Sequence, residues 1–91
     1  MTEEEVYQKC FDKWGLDSQL DQMVEECAEY IVALSHHRRE RIPAAGLIAE
    51  MVDVYLMASA MAFHFGNSEE WKRAKAEKIE RVEALLNGAQ K

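Results

Sequence analysis

The sequence predicts an all-α protein, a four-helix chain that forms an antiparallel bundle completed by oligomerisation. Four Gly and one Pro among 91 residues leave few breaks for long helices. Apolar residues recur at intervals of three and four, the period of a helix with one apolar side. Residues 1–91 form one domain, and a chain this small buries only roughly 60–65% of its unfolded surface. Since 48% of the residues are hydrophobic, we expect a homodimer or homotetramer.

The first predicted helix starts with a capping box. Thr2 and Glu5 have the T-x-x-E spacing in which each side chain bonds the other residue's backbone N–H. The helix carries apolar and aromatic side chains and stops near Gly15, a residue that ends helices readily.

The second predicted helix is capped by Asp17 or Ser18 and runs to about His37. Its apolar residues share one side, as helical spacing requires. They are Leu20, Met23, Val24, Cys27, Ile31 and Leu34.

The third predicted helix has Pro43 in its first turn and extends to about Phe65. It is apolar on nearly every side, which is typical of a buried helix or a membrane span. Glu50 and Asp53 lie inside it, and each would cost several kcal/mol in lipid. We therefore expect a buried bundle helix at the centre of the oligomer, and no membrane partner.

The fourth predicted helix follows a short break at Gly66 and Asn67. Ser68 caps it, acidic residues complement its N-terminus, and Gly88 closes it. Its apolar side carries Trp71, Ala74, Val82, Leu85 and Leu86.

Charge and cysteine content exclude several classes of function. The net charge of −6 argues against a nucleic-acid polymer as partner, because binding phosphates directly requires a basic surface. Cys10 and Cys27 match no zinc or redox spacing. Two isolated thiols and an acidic start, Met1 to Glu5, predict a cytoplasmic protein.

Two acidic groups predict a magnesium site. Glu50 and Asp53 are three residues apart, so their carboxylates are neighbours on a helix that is otherwise apolar. Such a pair requires a proton, a cationic side chain or a metal to compensate it. Glu25, Glu26 and Glu29 form a second cluster, which alone would be interpreted as a solvated surface. Together the clusters offer the oxygen ligands that Mg²⁺ prefers, with Mn²⁺ as a substitute.

These two clusters also resemble a known family signature. EECAE at residues 25–29, followed after 20 residues by EMVD at 50–53, resembles the EExxE…ExxD pattern of the MazG-like, all-α nucleoside triphosphate pyrophosphohydrolases. The flanking segments WGLDSQL and VYLMASAM are similar as well, and the resemblance covers roughly residues 14–85.

The resemblance implies Mg²⁺-dependent hydrolysis of a nucleoside triphosphate, a dNTP or non-canonical NTP, to the monophosphate and pyrophosphate. It implies Glu26, Glu29, Glu50 and Asp53 as metal ligands. Glu25 and Glu26 are the implied catalytic residues, with Glu25 holding a second ion or orienting the attacking water. This role agrees with general chemistry, since a bound metal neutralises phosphate charge and makes water easier to deprotonate.

Further residues are candidates for binding the nucleotide. Lys75 and Lys78 lie within the apolar side of the fourth helix, where they either grip phosphate oxygens or extend outward into solvent. Trp14 is a candidate stacking surface for the base and Gln19 a candidate hydrogen-bonding partner, although Trp14 also suits a core position. The basic loop of Arg38, Arg39 and Arg41 is either a solvated turn or a region that steers an anionic nucleotide.

Two alternative functions remain open from the sequence. Phosphoribosyl-ATP pyrophosphatases share the length, the helical architecture and the acidic site, although the Ser-Tyr-Thr segment that usually precedes their acidic motif is not seen here. A non-catalytic helical interaction module would use its glutamates for solubility alone. Only the enzymes should bind Mg²⁺ and release pyrophosphate.

Overall fold

The computed structural model describes residues 1–66 and 68–88, apart from the side chain of Ser68, and contains three helices and no strand in these ranges. They are α1 (Glu3–Arg38), α2 (Ala44–His64) and α3 (Ser68–Leu86). The all-α prediction is confirmed, whereas the predicted count of four helices is wrong. The predicted role of Asn67 lies outside the described residues.

The difference in helix count arises at Gly15. Its φ of 83° and ψ of 163° are not helical, and glycine adopts this conformation without a steric penalty. The residues on both sides stay helical, so the first two predicted helices form one kinked element. Asp17 and Ser18 lie among the helical residues that directly follow this break in α1. The capping box of Thr2 and Glu5 is present as predicted.

The turn between α1 and α2 reverses the chain. The Nδ1 atom of His37 lies 3.0 Å from the carbonyl oxygen of Ile42, which ties the last turn of α1 to the segment before α2. Pro43 is the N-cap of α2, one position before the predicted first turn, and Phe65 is its C-cap. Gly66, with φ of 70°, follows as predicted.

Aromatic contacts join the kinked start of α1 to the end of α2. The rings of Phe11 and His64 stack with 4.3 Å between centroids, and Tyr7 lies 6.0 Å from Phe63. Phe11 is one of the few buried hydrophobic side chains, with Ala33 and Ala60. These contacts fix the end of the α1–α2 pair that lies opposite the turn.

The side of α1 that faces α2 is not the predicted apolar one. Gln19 and Ala33 are buried, and the half-buried Glu26 lies on the same side. In contrast, Val24 and Ile31 of the apolar stripe are 69% and 66% exposed. In the single chain α2 is mostly exposed, with Ala60 as its buried residue, and its burial at the centre of an oligomer stays a prediction. Helix α1 covers one side of α2, and the other sides of α2 can be removed from water only by a further surface.

Helix α3 extends away from this pair. It makes few contacts with α2 and does not pack against α1. The chain exposes 7320 Å², about 1900 Å² more than a compact monomer of this mass. Its radius of gyration is 16.2 Å, against about 12 Å for a compact domain of this length. A single copy therefore leaves much apolar surface in contact with water.

Candidate metal centre

Three carboxylates from two helices meet between α1 and α2. One oxygen from each of Glu26, Glu29 and Glu50 lies within 4.8 Å of the others. Glu26 and Glu29 are three residues apart on α1, a spacing that places them on neighbouring positions of one side. The reversal of the chain then brings Glu50, near the start of α2, opposite them. The structure thus joins the two acidic segments that the sequence analysis selected.

Two oxygens of this cluster are buried without a partner. Glu26 Oε2 and Glu50 Oε2 are shielded from water and make no hydrogen bond. A buried carboxylate oxygen without a partner is unfavourable, because it has lost hydration and gained nothing in return. These oxygens are therefore available to a cation or a hydrogen-bond donor.

Gln22 orients one member of the cluster. Its Nε2 atom donates a hydrogen bond of 2.8 Å to Oε1 of Glu26. Because Oε1 is engaged, the second oxygen of Glu26 is directed away from Gln22 and remains free. The sequence analysis did not select Gln22, although its spacing of four residues from Glu26 is the signal for such a contact.

The electrostatic environment of the cluster is acidic. Repulsion from Glu26 raises the pKa of Glu29, with further contributions from partial desolvation and from Glu50, Glu25 and Asp53. Every charged group that acts on Glu29 is a carboxylate. The one ion pair among the described residues joins Lys72 to Glu69 on α3. Among the residues that the structure describes, no cationic side chain forms an ion pair with the cluster.

Asp53 and Glu25 lie at the edge of the cluster. Both are exposed, and both are close enough to influence Glu29. Neither belongs to the set of three whose oxygens converge. The structure therefore supports direct contact with one ion for Glu26, Glu29 and Glu50, and a peripheral position for the other two carboxylates.

An open cavity of about 510 Å³ adjoins the cluster. Glu29 and Glu50 form part of its wall, together with His36 near the end of α1. The rest of the lining is mostly apolar: Ala28, Val32, Ala33, Ile42 and Gly46. Its volume falls within the range of small-molecule sites. His36 is not among the predicted site residues, although its spacing of seven residues from Glu29 places both on one side of α1.

The structure does not bring the predicted base-binding residues to this cavity. Gln19 is buried two helical turns before Glu26, and Trp14 precedes the kink at Gly15. Trp14 is 54% exposed, and the Nζ atom of Lys13 lies 5.3 Å from the centroid of its ring. The roles of Trp14 and Gln19 in binding a base stay predictions.

Lys75 and Lys78 are exposed on α3, which does not pack against α1 in the same chain. No lysine is among the groups that act on Glu29. Their role as phosphate ligands also stays a prediction.

The converging carboxylates fit a small divalent cation. Two oxygens bound to one Mg²⁺ lie about 3–4 Å apart, given an Mg–O distance of about 2.1 Å. The separations here, up to 4.8 Å, require only a modest rotation of the glutamate side chains. The hard oxygen donors and the unpartnered atoms favour Mg²⁺ or Mn²⁺ over softer metals.

Comparison of the chain with protein-family models, with curated proteins and with solved structures found no match.

Proposed function

We propose that the protein is a Mg²⁺-dependent nucleoside triphosphate pyrophosphohydrolase that acts on a dNTP or non-canonical NTP. The observation that carries the proposal is the cluster of Glu26, Glu29 and Glu50, whose oxygens converge to within 4.8 Å between two helices. Two buried oxygens without partners strengthen it, since they are costly unless a ligand contacts them.

A triphosphate is the class of substrate that suits this acidic site. An anionic ligand cannot approach uncompensated carboxylates directly, so a cation must lie between them. The adjoining cavity is acidic on one wall and apolar over most of the rest. Phosphate oxygens would face the metal at the acidic wall, and the nucleoside would contact the apolar part.

The protein's own groups hold and orient the reactants. Glu26, Glu29 and Glu50 would bind the cation, and Gln22 keeps the first of these in position. The bound cation supplies charge neutralisation and a more acidic water molecule. Glu25 and Asp53, at the exposed edge, would accept a proton from water or hold a second ion.

Helix α2 is long and apolar enough to cross a membrane by length and composition alone. Glu50 and Asp53 oppose insertion, because charged groups are costly in the hydrocarbon region. We propose instead a cytoplasmic protein, in agreement with the free state of Cys10 and Cys27. We also propose that the helices form an antiparallel bundle completed by oligomerisation, which would cover α2.

Pyrophosphate release tests the proposed activity. Purified protein should release pyrophosphate from at least one member of a panel of canonical and modified (d)NTPs and phosphoribosyl-ATP, with Mg²⁺ present. A chelator should stop the reaction, and added Mg²⁺ should restore it. If phosphoribosyl-ATP is the one compound hydrolysed, the protein is a phosphoribosyl-ATP pyrophosphatase. If no substrate reacts and calorimetry detects no Mg²⁺ binding, the chain is an interaction module instead.

A further inference from the structure

Helix α3 has an apolar stripe that its own chain approaches only at Trp71, which lines an open cavity with Tyr7 and Phe63 among the described residues. Trp71, Ile79, Val82 and Leu86 lie on one side of the helix and are 47%, 53%, 52% and 81% exposed. An amphipathic helix of 19 residues depends on packing for most of its stability in water. Because α3 does not pack against α1 and touches α2 little, the surface that stabilises it must come from elsewhere.

Helix α2 offers a second uncovered stripe of similar length. Ile48, Val52 and Tyr55 are 54%, 47% and 66% exposed, and helical spacing places them opposite Glu50, the side that meets α1. Met51 and Leu56 widen this stripe and are 44% and 39% exposed. Two apolar stripes, each on a helix about 30 Å long, are thus left without partners in one chain.

We propose that α3 is an exchanged arm, which docks its apolar stripe on the outer stripe of α2 in a second copy of this chain. Two-fold symmetry makes the exchange reciprocal, so each copy gives one arm and receives one. The outer stripe of α2 means Ile48, Met51, Val52, Tyr55 and Leu56 throughout.

The exposed area agrees with a second copy as the occupant. The excess over a compact monomer is about 1900 Å² per chain, well above the roughly 800 Å² that each partner buries in an ordinary specific interface. Each copy takes part in two helix-on-helix contacts in a reciprocal exchange, one through its arm and one through its α2. Two contacts per chain agree with an excess exposed area larger than one ordinary interface. A membrane surface could also cover two apolar stripes. The net charge of −6 argues against it, because anionic lipids repel an acidic chain.

A pair of matched variants of α3 tests the arm. Val82→Glu places a charge inside the stripe, whereas Ala84→Glu adds the same charge on the opposite side of the same helix. Sedimentation equilibrium should find wild-type and Ala84→Glu dimers at micromolar concentration. Val82→Glu should raise the dissociation constant at least about 100-fold, because a buried unpaired carboxylate is strongly unfavourable. Circular dichroism checks that the helices of α1 and α2 remain.

Mixing two defective variants identifies the docking surface. Val52→Glu damages the outer stripe of α2 and should also give a monomer. An equimolar mixture of Val52→Glu and Val82→Glu contains one intact arm and one intact stripe on different chains, so a heterodimer should form. If the dimer were instead held by α3 against α3, or by α2 against α2, mixing the two variants would not restore a dimer in which both copies have an intact contact surface.

Three results would overturn the proposal. One is a Val82→Glu protein that dimerises like wild type, and another is a mixture that forms no heterodimer. The third is a monomeric wild-type chain whose α3 amides are protected from hydrogen exchange at every concentration, which would mean that α3 folds back on its own chain. Monomeric protein that co-sediments with phosphatidylglycerol vesicles would replace the second copy with lipid. Concentration-dependent protection of α3 in the wild type would support the exchange without any variant.

Discussion

The α1–α2 pair and helix α3 are stabilised in different ways. The pair has aromatic contacts at the end opposite its turn, and nearer the turn it holds three carboxylates that repel one another. Helix α3 has a regular apolar stripe but little to pack it against within the chain. Helix α3 thus has the more regular amphipathic pattern but the less packing within its chain. The α1–α2 pair has the less regular pattern, and it contains the candidate metal centre. The two regions should therefore respond differently to the same kinds of change.

The largest expected effect is a loss of activity when a carboxylate of the α1–α2 pair is changed, with no loss when one on α3 is changed. Glu50→Gln removes a negative ligand and should lower pyrophosphate release about 1000-fold, as for loss of a main electrostatic group in an active site. Glu80→Gln is the matched control, since it makes the same change on exposed α3. Equal loss in both variants would contradict a site confined to the α1–α2 pair. The test is steady-state kinetics on the best substrate of the nucleotide panel.

Packing within the α1–α2 pair should be visible in its stability. Phe11→Ala removes a buried ring that stacks on His64 and should lower the free energy of unfolding by about 3 kcal/mol. Phe65→Ala makes the same change at a ring that is 65% exposed and should cost less than about 1 kcal/mol. Urea denaturation measures both, and similar losses would mean that Phe11 is not a main packing residue.

Lys75 and Lys78 test whether α3 takes part in the site between α1 and α2. The sequence-based role predicts that Lys75→Met or Lys78→Met lowers kcat/KM about 100-fold and leaves the fold intact, because the apolar stem is kept. Arg73→Met, on the opposite side of α3, should have no effect. Wild-type kinetics in both lysine variants would restrict those residues to solvation of α3.

Metal should stabilise the pair through its carboxylates. At ten times its dissociation constant, Mg²⁺ should add about 1.4 kcal/mol to the free energy of unfolding by mass action. Thermal scans should show a rise in Tm of several degrees for the wild type and for Glu80→Gln. Glu26→Gln should lose most of this rise, since it removes one of the converging ligands. An unchanged rise in Glu26→Gln would place the metal elsewhere.

The smallest effect concerns pH in the metal-free protein. Repulsion from Glu26 and the neighbouring carboxylates raises the pKa of Glu29 above its ordinary value of 4.5, so the folded protein binds the proton more tightly than the unfolded chain. Glu29 thus contributes most to stability below its unfolded pKa, and this contribution is lost as the pH rises through its folded pKa. Urea denaturation of chelated protein across this interval should show the decline. Glu29→Gln should flatten it, whereas a decline equal to that of the wild type would exclude Glu29 as its source.

Much of the local structure could be predicted from the sequence. The capping box at Thr2, the break at Gly15, the turn after Phe65 and the helical state of nearly the whole chain depend on interactions within a few residues. The helix count was wrong because a single glycine with positive φ kinks a helix or ends it, and its neighbours do not distinguish the two outcomes. The acidic motifs could be selected because their spacing places carboxylates on one side of a helix.

The sequence by itself determined which residues share a side of each helix, because that depends only on the helical period. It could not determine which side meets which partner. The tertiary structure placed Glu26 and Glu29 against α2, left Val24 and Ile31 in solvent and brought Glu50 opposite the side of α1 that carries Glu29 and His36. The physical reason is that burial is a property of two surfaces together. An apolar stripe favours removal from water, but the position of the next helix decides whether anything covers it.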